Sequence, residues 1–368
     1  MTEELLPNEN FSEGDILQKQ AEREAAKKKM GACFNRVGWS IFTTMLVWLA
    51  LLYSITAIVM VCDYLTKTSV LTELYNRYLL IINEATLAIA IAIGFFVIKT
   101  VPKAEEYRQP ISVGRFMQIL CICFAVSYIG NIIGTVFLTY WGMLTGNEVG
   151  NQLAEVLNMT DPLMMFLSVG LLAPILEELV FRKFLIDRMR PYGEVVSILV
   201  SAGLFALFHQ NFSQFIYTFS AGVMLGFLYY KTGNYWLTTL LHAIFNCIGG
   251  VLPTLLLSKI MAFLEDFATL ESKLTSLETE QEIMALLMPI VTEYGPTLLL
   301  YGIYLLILGA INITGIVFLI IRFRKYRAQK SELKMNAPET FGAIFKNPGM
   351  ICTLILLGAL TVMSLFMT

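Results

Sequence analysis

Apolar runs of roughly 20 residues recur along the whole chain, and each is the length an α-helix needs to cross ~30 Å of hydrocarbon with its backbone hydrogen bonds satisfied internally. By that criterion about nine spans are predicted. They lie at Val37–Cys62, Leu79–Ile98, Phe116–Trp141, Leu163–Phe181, Val195–His209, Phe215–Tyr230, Trp236–Leu257, Thr297–Ile321 and Met350–Met367. Composition agrees: 57% of the 368 residues are hydrophobic and 15% charged, where a soluble domain carries about a quarter charged. The expected fold class is an all-α polytopic membrane protein, a bundle of about eight to nine transmembrane helices.

The charged residues report topology. Lys19, Arg23, Lys27, Lys28, Lys29 and Arg36 precede the first span, and Lys99, Lys103, Arg108 and Arg115 follow the second. Arg182, Lys183, Arg188 and Arg190 follow the fourth, Lys231 precedes the seventh, and Arg322 to Lys346 is again basic. The connection from Gly142 to Pro162 instead holds Glu148, Glu155 and Asp161 with no Lys or Arg. Cytoplasmic loops collect Lys and Arg, so a multi-pass protein of the cell membrane is expected, N-terminus cytoplasmic and C-terminus extracytoplasmic. A net charge of -2 gives no reason to expect nucleic acid as a partner, whereas membrane lipid is one by construction. The acidic start, Met1-Thr-Glu-Glu, shows no removable signal peptide. The six cysteines lie in or beside apolar runs without a C-x-x-C pair and are expected to pack. Gly130/Gly134 and Gly222/Gly226, four apart within spans, suggest close helix contacts.

Ionisable side chains at membrane depth are costly, which makes them functional candidates. Four polar clusters qualify: Glu177-Glu178-Leu-Val-Phe-Arg182, Phe205 to His209, His242 to Asn246, and Asn83-Glu84. The last has no evident partner pattern and is assigned to helix packing. The chain has only two histidines, and both fall in these clusters. If the fourth and fifth spans turn back at Pro191-Tyr-Gly193, Glu177 and His209 lie at about equal depth, ~24 Å from the turn at 1.5 Å per residue. His242 and Asn246, four apart, share one helix face, and Arg182 stacks on Glu178 while leaving Glu177 on another. One glutamate is thereby neutralised and the other can take a proton from water. Imidazole and amide N–H groups suit the oxyanion that forms when water attacks a peptide carbonyl.

These motifs, E-E-x-x-x-R, F-x-x-x-H and H-x-x-x-N, each on its own span and in this order, resemble the CAAX-protease and bacteriocin-processing (CPBP) family, which includes the type II prenyl-protein endopeptidases. The resemblance covers roughly Asp161 to Gly250. It implies an intramembrane endopeptidase acting on a membrane-associated peptide or protein, in bacteria in peptide maturation or self-immunity. Glu177 would activate water with His209 assisting, His242 and Asn246 would form the oxyanion site, and Glu178 and Arg182 would support them. A mechanism without cofactor is expected, because H-E-x-x-H is absent and Asn246 is a poor zinc ligand. The alternative is a catalytic zinc on Glu177, His209 and His242. Competing functions are a proton-coupled transporter and a non-catalytic membrane scaffold or immunity protein that retains the motif.

The expected organisation is a cytoplasmic polar and basic arm over 1–36, spans one to three over 37–145, and the catalytic CPBP-like core with spans four to seven over 146–257. An acidic extracytoplasmic loop over 258–296 follows, with an amphipathic helical pattern, then two C-terminal spans with a basic cytoplasmic loop over 297–368.

Overall fold

The structure, a computed structural model, describes residues 13–105, 108–146, 161–274, 279–324, 326–329 and 335–366. Glu148 and Glu155 of the acidic connection, residues 275–278 of the amphipathic segment, and Met367 of the ninth predicted span lie outside them. All regular structure among the described residues is helical.

The first helix, α1 (Glu13–Thr66), joins the charged arm and the first span into 54 continuous residues. No proline falls within it, so nothing in the backbone separates the polar part from the apolar part. At 1.5 Å per residue it is about 80 Å long, more than twice what the bilayer core requires. Near its start Arg23 pairs with Glu339 at 3.6 Å. The second helix, α2 (Val70–Ile98), begins under Asp63, whose carboxylate accepts from the backbone N–H of Leu71 at 3.1 Å and Thr72 at 2.7 Å. Those are donors that a helix N-terminus leaves without intrahelical partners. Next come α3 (Val113–Thr145), α4 (Pro162–Tyr192), α5 (Glu194–Phe208) and α6 (Phe212–Thr232). The seventh helix, α7, runs from Tyr235 to Asn246, through a π turn at Cys247–Val251, and on over Leu252–Leu274. The chain ends with α8 (Glu280–Phe323), α9 (Ala337–Phe345) and α10 (Pro348–Met363).

Among the described residues, all nine predicted apolar runs are helical over most of their length. Seven helices are long and apolar enough to cross a membrane, and α9 with α10, bent by 74°, would make an eighth. The ninth, α5, has only 15 residues, about 22 Å. The segment 258–296 is also mostly helix: α7 and α8 continue into it and pack on each other through Phe263 and Tyr294, ring centroids 5.5 Å apart. Tyr294 donates a 2.6 Å hydrogen bond to Asp266.

Large apolar side chains such as Ile58, Phe96, Leu306 and Ile355 are more than 60% exposed, as expected where the surrounding solvent is lipid. Inside, Phe34, Ile41, Met45, Phe181, Leu185, Phe205 and Tyr229 are buried in one cluster that joins α1, α4, α5 and α6. Glycines set several of the contacts. A Cβ on Gly222 would sit 3.0 Å from the Phe205 ring and 3.1 Å from the Ala202 backbone, and one on Gly130 would sit 3.0 Å from the Ile216 carbonyl oxygen. Small residues let helix backbones approach this closely. At the crossing of α1 on α10 a Cβ on Gly38 would overlap the backbone of Gly349 and Met350. The carbonyl of Gly38 accepts from the Thr353 hydroxyl at 2.7 Å. Gly38→Val is therefore expected to push these helices apart and destabilise the protein by about 1–3 kcal/mol, read as a lower midpoint of thermal unfolding in detergent. An unchanged midpoint would show that the crossing does not contribute to stability.

Candidate active site

The fourth and fifth helices form the predicted hairpin. Gly193 turns the chain at φ 98°, a left-handed backbone that favours glycine. Beyond the turn Ser201 donates to the Phe181 carbonyl at 2.7 Å, and the rings of Phe181 and Phe205 meet edge to face at 5.3 Å. Residues equally far from Gly193 on either side thus lie at similar depth, which sets the glutamates of α4 level with the end of α5.

The α4 backbone is not uniform. Two π stretches, Phe166–Leu172 and Leu179–Ile186, bracket a short α segment, Ala173–Glu178, which carries both glutamates. A third π turn begins directly after Asn246. Such turns widen the helix and concentrate at functional sites in proteins generally.

Glu178 and Arg182 are fully buried and paired, Oε2 to Nε at 3.1 Å. The guanidinium lies 4.7 Å from the centre of the Phe205 ring and donates to the Gly222 carbonyl at 3.4 Å. The second oxygen of Glu178 holds His242 Nδ1 at 2.9 Å. A carboxylate paired with a guanidinium only accepts hydrogen bonds, so Nδ1 carries the proton. On the opposite edge of the same ring, Nε2 lies 3.7 Å from Glu177 Oε2. His242 therefore sits between two glutamates in very different surroundings: Glu178 is sealed in the core, while the Glu177 side chain keeps 16% exposure.

His209 caps the end of α5. Its Nδ1 donates to the Phe205 carbonyl at 2.8 Å, and its ring packs edge-on against Phe205 at 4.8 Å. Gln210 follows with φ 52°, a conformation uncommon outside glycine, which turns the chain into α6. Among the described residues no ion pair joins His209 to either glutamate. The imidazole against Glu177 is that of His242, because His209 is tied back along its own helix. The two histidines are connected through Phe205, whose ring also lies 5.8 Å from that of His242. Asn246, one turn beyond His242, donates to the Val169 carbonyl at 2.9 Å, in the first π stretch of α4. An amide has a second N–H for another acceptor.

Glu84, assigned to packing in the sequence, belongs to this neighbourhood. The α2 helix docks on α4 where the Ser168 hydroxyl donates to the Leu80 carbonyl at 3.0 Å. Glu84 is buried at 7% exposure. Tyr217 of α6 donates to Gln214 at 2.9 Å. The sequence did carry a signal for Glu84, the only charged residue in the second predicted span.

A catalytic zinc needs three convergent protein ligands. Among the described residues no three His, Cys, Asp or Glu side chains are gathered closely enough to hold a metal ion.

Fold and site together define a polytopic membrane protein with a buried cluster of carboxyl, imidazole and guanidinium groups contributed by separate helices. Residues 159–248 match the family model described as Rce1-like, type II CAAX prenyl endopeptidase, and this interval contains Glu177, Glu178, Arg182, His209, His242 and Asn246. The match covers about a quarter of the chain and agrees with the resemblance of its motifs. It is also 24% identical over 121 residues to UPF0177 protein YxdF of Lactococcus lactis subsp. lactis (strain IL1403), covering 33% of this chain and 67% of that protein. No solved structure matches the chain significantly.

Proposed function

We propose that this protein is an intramembrane endopeptidase in which Glu177 activates the water that cleaves a peptide bond of a membrane-associated substrate. The observation that carries this reading is the division of labour between adjacent glutamates: Glu178 is occupied by Arg182 and His242, while Glu177 meets the far edge of His242 and keeps some exposure. A partly solvated carboxylate can take a proton from water. The water oxygen then bonds to the scissile carbon, the carbonyl oxygen becomes an oxyanion, and as the C–N bond breaks the proton passes from Glu177 to the departing amine. His242, held through Nδ1 by Glu178, and the second amide N–H of Asn246 form the site for that oxyanion. His209, with its proton on Nδ1, leaves Nε2 as an acceptor that can assist the base.

The catalytic core is 146–257, with an N-terminus in the cytoplasm and a C-terminus outside, as the distribution of Lys and Arg suggests. In a bacterial cell the product would be a matured peptide or a component of self-immunity. The test is comparative mass spectrometry of membrane and secreted peptides from cells carrying wild type or Glu177→Ala. A peptide lost only in the variant names the substrate, and identical peptide populations would refute the reading. The mechanism uses no metal, so a strong chelator is expected to leave the rate of the purified enzyme unchanged; loss of activity restored by zinc would replace the glutamate mechanism with a zinc one.

A further inference from the structure

Pro174 is buried in the interior of α4, three residues before Glu177. A proline has no backbone N–H, and in a regular helix its ring collides with the carbonyl four residues earlier. The chain meets this by widening. The first π stretch, Phe166–Leu172, lies directly before the proline, and the Ala173 N–H that follows it donates to the Ser168 carbonyl, five residues back. The same register next asks residue 174 for a donor to the Val169 carbonyl, and proline has none to give. That carbonyl is met instead from another helix, by Asn246 Nδ2 of α7 at 2.9 Å.

The two helices are in close contact around this exchange. A Cβ on Gly170 would sit 3.0 Å from Cys247 Sγ. On the other side of the proline the Tyr235 hydroxyl, also from α7, donates to the Ile175 carbonyl at 2.7 Å. At membrane depth no bulk water is at hand to satisfy a bare carbonyl, so the one that Pro174 leaves without a backbone donor holds the amide in place. We propose that Pro174 is a positioning residue for peptide hydrolysis: by denying Val169 a backbone donor, it makes that carbonyl the anchor of the Asn246 side chain and so aims the second amide N–H at the oxyanion. This deepens the endopeptidase reading and rests on it. The part played by Pro174 is exerted entirely through Asn246.

Pro174→Ala restores the missing N–H, which then competes with the amide for one carbonyl and loosens the Asn246 side chain. On the synthetic precursor of the Glu177-dependent peptide, with full-length protein in proteoliposomes, kcat is expected to fall about tenfold, short of the roughly hundred-fold or larger loss that removal of an oxyanion donor brings. KM should stay within about twofold, since the oxyanion forms only as the reaction proceeds. The decisive measurement is a double-variant cycle. In Asn246→Ala there is no amide to aim, so adding Pro174→Ala should change kcat by less than about twofold. Equal losses in both backgrounds, or wild-type kcat in Pro174→Ala while Glu177→Ala is inactive, overturn this proposal alone; activity retained in Glu177→Ala overturns the base assignment beneath it. If Pro174→Ala does not accumulate in the membrane, Pro174→Val, which supplies the same N–H and fills the space of the ring, goes through the same cycle. A loss seen only when Asn246 is present supports the role, and a loss independent of Asn246 removes it.

Discussion

Glu177→Gln is expected to lower kcat for peptide hydrolysis by about a thousand-fold or more, within the range for loss of a general base, while the protein still inserts and unfolds at nearly the wild-type temperature. The amide has the same shape but cannot hold the proton that water must give up. Stability should be retained because Glu177 is outside the Arg182 pair and keeps 16% side-chain exposure. Single-turnover kinetics on the identified precursor, together with thermal unfolding of the same preparation, measure both halves. A variant that is inactive because it has unfolded would be uninformative about chemistry; one that is folded and cleaves at the wild-type rate would end the assignment of Glu177 as base.

Arg182→Met should have the largest effect on stability. It leaves Glu178 fully buried without its guanidinium, and breaking a buried ion pair from one side costs about 3–5 kcal/mol. The same change removes the contact with the Phe205 ring and the hydrogen bond to Gly222. Replacing both partners removes the stranded charge, so Glu178→Gln/Arg182→Met should recover much of the loss. It should nevertheless remain slow, because Glu178 also fixes the His242 ring. Denaturant unfolding in detergent gives the stabilities, and the assay above gives the rates. Wild-type stability in Arg182→Met, or no recovery in the double variant, would contradict this account of the pair.

Much of this architecture could be read from the chain because lipid imposes a simple length rule, and all nine apolar runs became helices. The hairpin at Gly193 and the pairing of Arg182 with Glu178 followed from turn chemistry and four-residue spacing, both local properties. The features that did not follow depend on packing between distant helices. The π stretches on either side of Glu177 and Glu178 leave no periodic mark, yet they shift the side chains that come after them. Equal depth placed His209 and Glu177 at one level but could not show which imidazole would face the carboxylate. That depended on α7 bringing His242 between the glutamates, while His209 turned to the carbonyl of Phe205. Glu84 was assigned to packing because nothing in the local sequence names a partner for it. The continuity of α1 and the bend between α9 and α10 are likewise visible only when the neighbours are in place.

The brevity of α5 bears on what happens after cleavage. Counting from the hairpin turn, this helix falls about 8 Å short of the far side of the hydrocarbon layer, and α6 starts back from that level. Scission creates an ammonium and a carboxylate where an amide had been, and both must escape from oil into water. On the proposed endopeptidase reaction, the stunted helix would shorten that journey for the freshly charged chain ends.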